Sequence, residues 1–163
     1  MTAFVLETRD VAIHYGGVKA LDGVSLTLEK GQIRGLIGPN GAGKSTVIDA
    51  ITGRRPLTRG QVILDGQDVS QLGAVARRRL GLSRSFQRTS IFTGMPVRKQ
   101  VELASYKMGV SDSAADAEAV LQELDLARLG DVVAEDLGYG EQRRLDLALA
   151  LVGLLTLPGY KTN

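Results

Sequence analysis

The sequence contains no cysteine, no tryptophan and a single histidine. The absence of cysteine excludes disulfides, thiolate metal sites and cysteine nucleophiles. The lone His14 argues against a histidine-based catalytic triad and against a metal site built from several histidines. Aromatic residues make up only 4% of the chain, so we expect an aliphatic core. The longest apolar-rich run, residues 147–157, is too short for the ~20 residues of a membrane-spanning helix.

Glycine, by contrast, is in excess, at 20 of 163 residues against an average of about 7%. Apolar residues at 44% and charged residues at 23% are ordinary for a soluble globular protein, and the length predicts one domain. The net charge of +2 is too small to predict a nucleic-acid partner. Residues 1–7 lack the basic and apolar regions of a signal peptide, so we expect a chain made in a reducing compartment. The glycine excess indicates either many turns or a binding loop built from backbone groups.

Alternating apolar residues predict β structure in the first third of the chain. Hairpins are predicted around the turn pairs Gly16-Gly17 and Asp65-Gly66. Further short strands are predicted over residues 32–37 and 80–86. The strand over residues 32–37 leads directly into a glycine-rich loop at residues 38–43.

Helical spacing of apolar residues dominates the second half of the chain. Val47, Ile48 and Ile51 predict a helix directly after the glycine-rich loop, with Gly53 at the position that ends it. The cluster Arg77-Arg78-Arg79, at the end of a short helix predicted within residues 70–79, is interpreted as a solvated face. Longer helices are predicted over residues 97–107, 111–124 and 141–151.

The glycine-rich loop and the residues after it fit the pattern G-x-x-x-x-G-K-[ST]. Its glycines let the backbone curl so that several N–H groups point at one anion, and the following helix adds its positive end. Lys44 is predicted to reach the β- and γ-phosphates of a nucleotide, and the Ser45 hydroxyl to bind Mg²⁺. A chance glycine-rich turn at a helix start is the alternative, but the predicted strand before the loop and helix after it favour phosphate binding. The predicted nucleotide-binding residues are Gly38, Pro39, Asn40, Gly41, Ala42, Gly43, Lys44, Ser45 and Thr46.

Other segments accompany this loop in a specific order along the chain: Tyr15, Gln87 in Arg-Ser-Phe-Gln, and the segment Leu-Gly-Tyr-Gly-Glu at residues 137–141. With these motifs, residues 4–153 resemble the nucleotide-binding subunit of an ABC transporter. The resemblance implies an α/β fold: a P-loop NTPase core of the ABC ATPase type, an N-terminal antiparallel β subdomain and a helical subdomain. Residues 1–153 would form a partial nucleotide-binding domain, with the helical subdomain at about 90–145 and a divergent tail at 154–163.

The resemblance also implies a role for each of these motifs. Tyr15 would stack its ring on adenine, although a tyrosine packed on the sheet is the alternative. Gln87 would act as a catalytic residue whose amide oxygen reaches Mg²⁺ and the attacking water. The segment at residues 137–141 is similar to the signature motif, usually L-S-G-G-Q, which contacts ATP held by the partner subunit; a plain helix cap is the alternative. The signature residues are Leu137, Gly138, Tyr139, Gly140 and Glu141, of which Gly138, Tyr139 and Glu141 depart from the usual pattern.

The closest resemblance within the family is to ATP-binding subunits of branched-chain amino-acid importers, carried by residues 81–92 and 37–40. Urea and related amide importers are similar. The resemblance implies ATP and Mg²⁺ as cofactors, and a second ABC ATPase subunit, identical or different, together with integral membrane permease subunits as partners. The subunit would lie on the cytoplasmic face of the cell membrane, and no nucleic-acid partner is expected.

The family's water-activating residues have no counterpart in this sequence. In the family, an apolar strand after the signature helix ends in Asp-Glu-Pro, and a switch histidine follows later. Here no Asp or Glu follows Asp146, residues 154–158 resemble that strand without its acids, and His14 is wrongly placed. The sequence therefore predicts a C-terminally incomplete cassette that lacks the last core strands and is deficient in hydrolysis. A non-enzymatic nucleotide-binding or regulatory module and a non-transport ABC ATPase are the alternatives.

Overall fold

The computed structural model describes residues 4–85 and 90–154. Contacts divide the chain into two compact units, Met1–Leu82 and Ser83–Asn163. The first unit contains a β-sheet with two short helices, and the second is helical. Each unit has its own aliphatic core, as the low aromatic content predicts.

The first unit is built on a four-stranded antiparallel sheet with the strand order β2-β1-β3-β4. Both predicted hairpins are confirmed. The first closes between Tyr15 and Val18, and the second between Leu64 and Gln67. In the second turn, Asp65 and Gly66 both have positive φ, at 46° and 79°, as a two-residue hairpin turn of this kind requires. The strands are β1 Phe4–Tyr15, β2 Val18–Glu29, β3 Arg59–Leu64 and β4 Gln67–Asp68.

Two helices complete the first unit, α1 Lys44–Ile51 and α2 Ala74–Arg79. α1 buries Val47, Ala50 and Ile51 in the aliphatic core beneath the sheet. It ends at Ile51 with Thr52 as its C-cap, and the next residue, Gly53, has a φ of 71°, which confirms the predicted glycine stop. The interpretation of the arginine cluster on α2 as a solvated face is wrong for Arg77, which is buried.

The strand predicted over residues 32–37 is wrong. These residues form no regular secondary structure and pair with no strand in the described part of the chain, and Ile33 and Ile37 are each 99% exposed. An apolar segment becomes a sheet strand only where neighbouring strands bond its backbone and other elements cover its side chains. The strand predicted over residues 80–86 is also wrong for residues 80–85, which form a turn and irregular structure, while Phe86 lies outside the described residues.

The second unit packs three helices, α3 Val97–Met108, α4 Ser113–Glu123 and α5 Tyr139–Leu151, around a core of valine, leucine and alanine. All three correspond to predicted helices. Asp112 caps α4 by accepting a hydrogen bond from the N–H of Ala115 at 2.9 Å, which fixes where that helix begins. No helix within residues 4–85 and 90–154 combines the length and apolar character needed to cross a bilayer.

Candidate nucleotide-binding site

The glycine-rich loop connects residues 32–37 to the start of α1. Gly41 and Gly43 each have a φ of 84°, in the left-handed region that L side chains rarely adopt. A Cβ on Gly43 would lie 3.1 Å from the carbonyl oxygen of Ala20 and 3.1 Å from the side chain of Leu21. Glycine is therefore needed at position 43 for two reasons, the backbone conformation and the close approach to β2.

At the N-terminus of α1, no side chain caps the backbone N–H groups. Its first turn contains no acidic residue, and its N-cap Gly43 has no side chain to cap it. Hydrogen bonding along the helix starts with the N–H of Val47, which donates to the carbonyl of Gly43 at 2.9 Å. The N–H groups of the three preceding residues, 44–46, are those that a helix leaves without intrahelical partners. An anion fits this position because the N-terminal end of the helix dipole is positive.

Lys44 folds back onto the loop that precedes it. Its Nζ donates to the carbonyl oxygens of Gly38 and Pro39, both at 2.7 Å. An ammonium group has three N–H donors, so one remains for a further acceptor such as a phosphate oxygen. The N–H of Ala42 donates to Pro39 at 3.3 Å and closes the loop on itself. The loop thus gathers an ammonium group and helix N–H groups within nine consecutive residues, 38–46.

Tyr15 ends β1 with its side chain facing solvent, since the residue is 49% exposed. The guanidinium carbon of Arg55, just after α1, lies 6.0 Å from the centre of the tyrosine ring. The ring is therefore available for stacking, and a cation stands beside it. Sequence reasoning missed Arg55, although a basic pair directly after the phosphate-loop helix was visible in the sequence.

The segment at residues 137–141 forms the start of α5. Leu137 is buried, while Gly138 is the N-cap and Tyr139 is 72% exposed. The Glu141 carboxylate accepts a hydrogen bond from the N–H of Gly138 at 2.9 Å and lies 4.0 Å from the guanidinium of Arg128. The helix start is therefore capped by its own glutamate, whose negative charge suits that end of the helix.

Gln87 lies outside the described residues, but both neighbouring parts of the chain are bonded to α5. On one side, the Ser83 hydroxyl donates to the carbonyl of Ala150. On the other side, the N–H of Ser90 donates to the carboxylate of Asp146 at 2.9 Å. Asp146 and Ala150 are four residues apart on α5, and residues at that spacing share one face of a helix. One face of α5 therefore holds the chain before and after residues 86–89.

Comparison with known proteins decides the family. A family model described as ABC transporter matches residues 21–156, most of the chain. The chain belongs to the ABC transporter family. The fold agrees: the crystal structure of the ADP conformation of MJ1267, an ATP-binding cassette of an ABC transporter, is similar to it at a TM-score of 0.81. That match has 29% identity and covers 91% of this chain and 65% of that one. The predicted fold class, a P-loop ABC ATPase core with antiparallel β and helical subdomains, is thereby confirmed.

Curated relatives within the ABC family include proteins of different transport systems. The high-affinity branched-chain amino-acid transport ATP-binding protein BraF of Pseudomonas aeruginosa is 31% identical, over 93% of this chain and 66% of its own. The lipopolysaccharide export ATP-binding protein LptB of Escherichia coli is 35% identical, over 90% of this chain and 62% of its own. The chain thus spans less than two thirds of the length of these relatives. Because these sequence identities are similar, they establish an ABC ATP-binding domain but do not select one transport system.

ABC ATPases in general bind ATP together with Mg²⁺, and the start of α1 has groups that fit this ligand. Its N–H groups and Lys44 suit phosphate oxygens, and Ser45 is exposed at the helix start. A hydroxyl oxygen together with phosphate oxygens is a ligand set that Mg²⁺ accepts. Among residues 4–85 and 90–154, no group of three or more His, Cys, Asp or Glu side chains could hold a metal ion.

Proposed function

We propose that this chain is the ATP-binding part of an ABC importer subunit that serves branched-chain amino acids or similar small solutes. The observation that carries the nucleotide part is the loop at the start of α1, where Lys44 and the free helix N–H groups are brought together. The solute class is supported by the similarity to BraF. Membership of the family supports the proposed coupling of ATP binding to transport.

Within this proposal, the motifs have separate tasks. Residues 38–46 hold the phosphates, and Tyr15 stacks on the adenine. Mg²⁺ would be held by Ser45 and Gln87, and when bound it neutralises charge on the β- and γ-phosphates. We further propose residues 1–153 as the nucleotide-binding domain, about 90–145 as its helical subdomain and 154–163 as a divergent tail.

ABC ATPase subunits generally dimerise and pair with membrane permeases, and we propose the same for this chain. The start of α5 would face ATP held by a second ATPase subunit, identical or different. At this contact, the N–H of Gly138 already donates a hydrogen bond to the Glu141 carboxylate of the same chain. The pair would lie against integral permease subunits on the cytoplasmic face of the membrane.

For hydrolysis, we propose that this chain by itself is slow or inactive. The family places its metal-binding and water-activating carboxylates after the signature helix, and here no Asp or Glu follows Asp146. Binding of ATP without phosphate release is therefore the expected behaviour.

The test is calorimetric titration of the full chain with Mg-ATP, together with a phosphate-release assay. We expect binding by the original protein, strong loss in Lys44→Met and no change in Lys30→Met, which alters an exposed lysine of the same unit. Lack of ATP binding by the original protein would overturn the nucleotide function. Phosphate release that Lys44→Met abolishes would overturn the proposed hydrolysis defect.

A second transport class is favoured by a specific observation, the 35% identity to LptB. In this candidate function, the chain belongs to an export system for a lipid-linked substrate. The two classes differ in their permeases, so co-purification distinguishes them. The chain would be coexpressed with permease subunits of a branched-chain amino-acid importer or of a lipopolysaccharide exporter. If the chain co-purifies only with the exporter subunits, the importer proposal is overturned in favour of the export function.

A further inference from the structure

Arg77 on α2 is the largest side chain that the first unit buries, with only 1% of the residue exposed. Its Nη1 donates to the carbonyl oxygens of Ala50 and Ile51, at 2.8 and 2.7 Å. These carbonyls belong to the last turn of α1, the helix whose other end carries the phosphate loop. A helix leaves its last carbonyls without intrahelical partners. The Ala50 carbonyl also accepts the N–H of Gly53 at 3.3 Å, so the guanidinium adds a second donor there and supplies a donor to Ile51.

The same guanidinium also holds the chain that leads into α2. Its Nε donates to Leu72 at 2.8 Å and its Nη2 to Ser70 at 2.9 Å, again at carbonyl oxygens. Burial lowers the pKa of Arg77, but an arginine keeps its charge in a protein. A buried cation bonded to carbonyls is costly to place, so its position calls for an explanation beyond packing.

Gly53 makes room for this arrangement. A Cβ at this position would lie 2.9 Å from Nε of Arg77 and 2.8 Å from the carbonyl oxygen of Leu72. Since Gly53 also has a φ of 71°, the stop after α1 and the seat of the guanidinium depend on the same residue.

We propose that Arg77 is a positioning residue for the phosphate loop, which fixes the C-terminal end of α1 and so the direction of its N-terminal N–H groups. α1 spans Lys44–Ile51, about 12 Å, and a helix of two turns transmits displacement of one end to the other. The positive charge beside the last carbonyls also complements the helix dipole, whose opposite end faces the anion. This inference rests on the proposed binding of ATP at the loop.

The test compares Arg77→Met with Arg77→Lys and with the control Arg79→Met, which changes an exposed arginine of the same helix. Calorimetric titration with Mg-ATP and with tripolyphosphate gives both the Kd and the number of sites for each full-length variant. We expect the Kd of Arg77→Met to rise about three- to tenfold for both ligands. The Kd of Arg77→Lys should lie between those of Arg77→Met and the original protein, because lysine keeps the positive charge but lacks the planar guanidinium group. Arg79→Met should leave the Kd unchanged.

A merely structural role would give a different result: fewer competent sites with an unchanged Kd in the folded fraction. That result, or equal Kd values in Arg77→Met and Arg79→Met, would overturn the proposal. If Arg77→Met does not fold, an unchanged Kd in Arg77→Lys overturns the proposal by itself. Failure of the proposed function is separate, since then the original protein would bind neither ligand.

Discussion

Asp146 accepts a hydrogen bond from the backbone N–H of Ser90 at 2.9 Å, across 56 positions of sequence. Asp146 is only 6% exposed, so its carboxylate gives up most of its contact with water to make this bond. Since Asp146 lies on α5, the helix that follows the predicted signature segment also holds the chain just after residues 86–89. One helix therefore carries residues 139–141 and also binds the backbone at Ser90.

The first prediction concerns this bond. Asp146→Ala leaves the Ser90 N–H without its acceptor, so the free energy of unfolding should fall by about 1–3 kcal/mol. Asp146→Asn retains an acceptor oxygen, so its free energy of unfolding should fall by less than that of Asp146→Ala. Hydrogen exchange at the Ser90 amide provides the direct measurement, with Asp136→Ala as an exposed control on the same unit. Equal protection of that amide in Asp146→Ala and the original protein would contradict the assignment.

The second prediction concerns Tyr15 and the proposed adenine contact. Tyr15→Ala should weaken ATP binding about five- to 150-fold, because a stacked base contributes about 1–3 kcal/mol. Tyr15→Phe keeps the ring face and should bind nearly as well as the original protein. Tripolyphosphate has no base, so its Kd should be the same in all three proteins. A parallel loss for ATP and tripolyphosphate would mean that Tyr15 acts through the loop rather than on adenine.

The third prediction concerns Gly43. Gly43→Ala places a side chain at φ 84° and 3.1 Å from the carbonyl oxygen of Ala20, so unfolding should become easier by about 1–2 kcal/mol. ATP affinity should fall as well, because the helix start would move. The matched control is Gly35→Ala, where an added Cβ meets nothing within 4 Å. Urea unfolding and titration with Mg-ATP measure the two effects, and similar values for both variants would refute the close-packing argument.

The fourth prediction concerns Asp22 on β2 and the dependence of folding stability on pH at this residue. Hydrogen bonds from Lys19 and Arg59 lower the pKa of Asp22 from 3.8 to about 2. The folded state thus favours the charged form, so the stabilisation is complete above pH ~4 and is lost as the pH falls through about 2. The gap in urea midpoint between the original protein and Asp22→Asn should therefore close between pH 4 and 2.

Because these groups are exposed, 1 M NaCl should also narrow the gap for Asp22→Asn. Glu29→Gln changes another exposed carboxylate on β2 and serves as the control. A gap for Asp22→Asn that stays constant over this pH range would show that the ion pairs do not contribute to folding.

The fifth prediction concerns the cap at the start of α5. Glu141→Ala should lower the stability of the helical unit by about 0.5–2 kcal/mol, since the N–H of Gly138 loses its acceptor. Glu141→Gln places an amide oxygen where the carboxylate oxygen was, so the stability of the helical unit should fall only slightly. Urea unfolding followed by circular dichroism measures both, with Glu135→Gln as an exposed control. If Glu141→Ala is as stable as Glu135→Gln, the capping bond contributes nothing.

The parts of the fold that sequence predicted correctly depend on local chemistry. The turn pairs Gly16-Gly17 and Asp65-Gly66 specify their hairpins because only certain residues adopt the backbone angles of such turns. Gly43 and Gly53 mark the two ends of α1 for the same reason. The phosphate-loop pattern is likewise local, a run of eight consecutive residues, so its position along the chain could be predicted without a distant partner.

The errors come from features that depend on neighbours. Residues 32–37 have the composition of a buried strand, but a strand exists only where another strand bonds it, and composition does not supply one. Arg77 has the same side chain as the exposed Arg79, two positions along the same short helix. What separates them is that the Arg77 side chain reaches the last carbonyls of α1, 26 and 27 residues earlier.

The sequence by itself determined the family, the order of the motifs and the turns of the β hairpins, because each is encoded in short runs of residues with restricted backbone angles. Only the tertiary structure decided which of several residues of the same type are buried or hydrogen-bonded within the fold. It buried Arg77 beneath α1, placed Asp146 against Ser90 and turned the Glu141 carboxylate onto its own helix start. The physical reason is that burial and hydrogen-bond partners are set by segments distant in the chain, whereas a glycine turn is set by the residue itself.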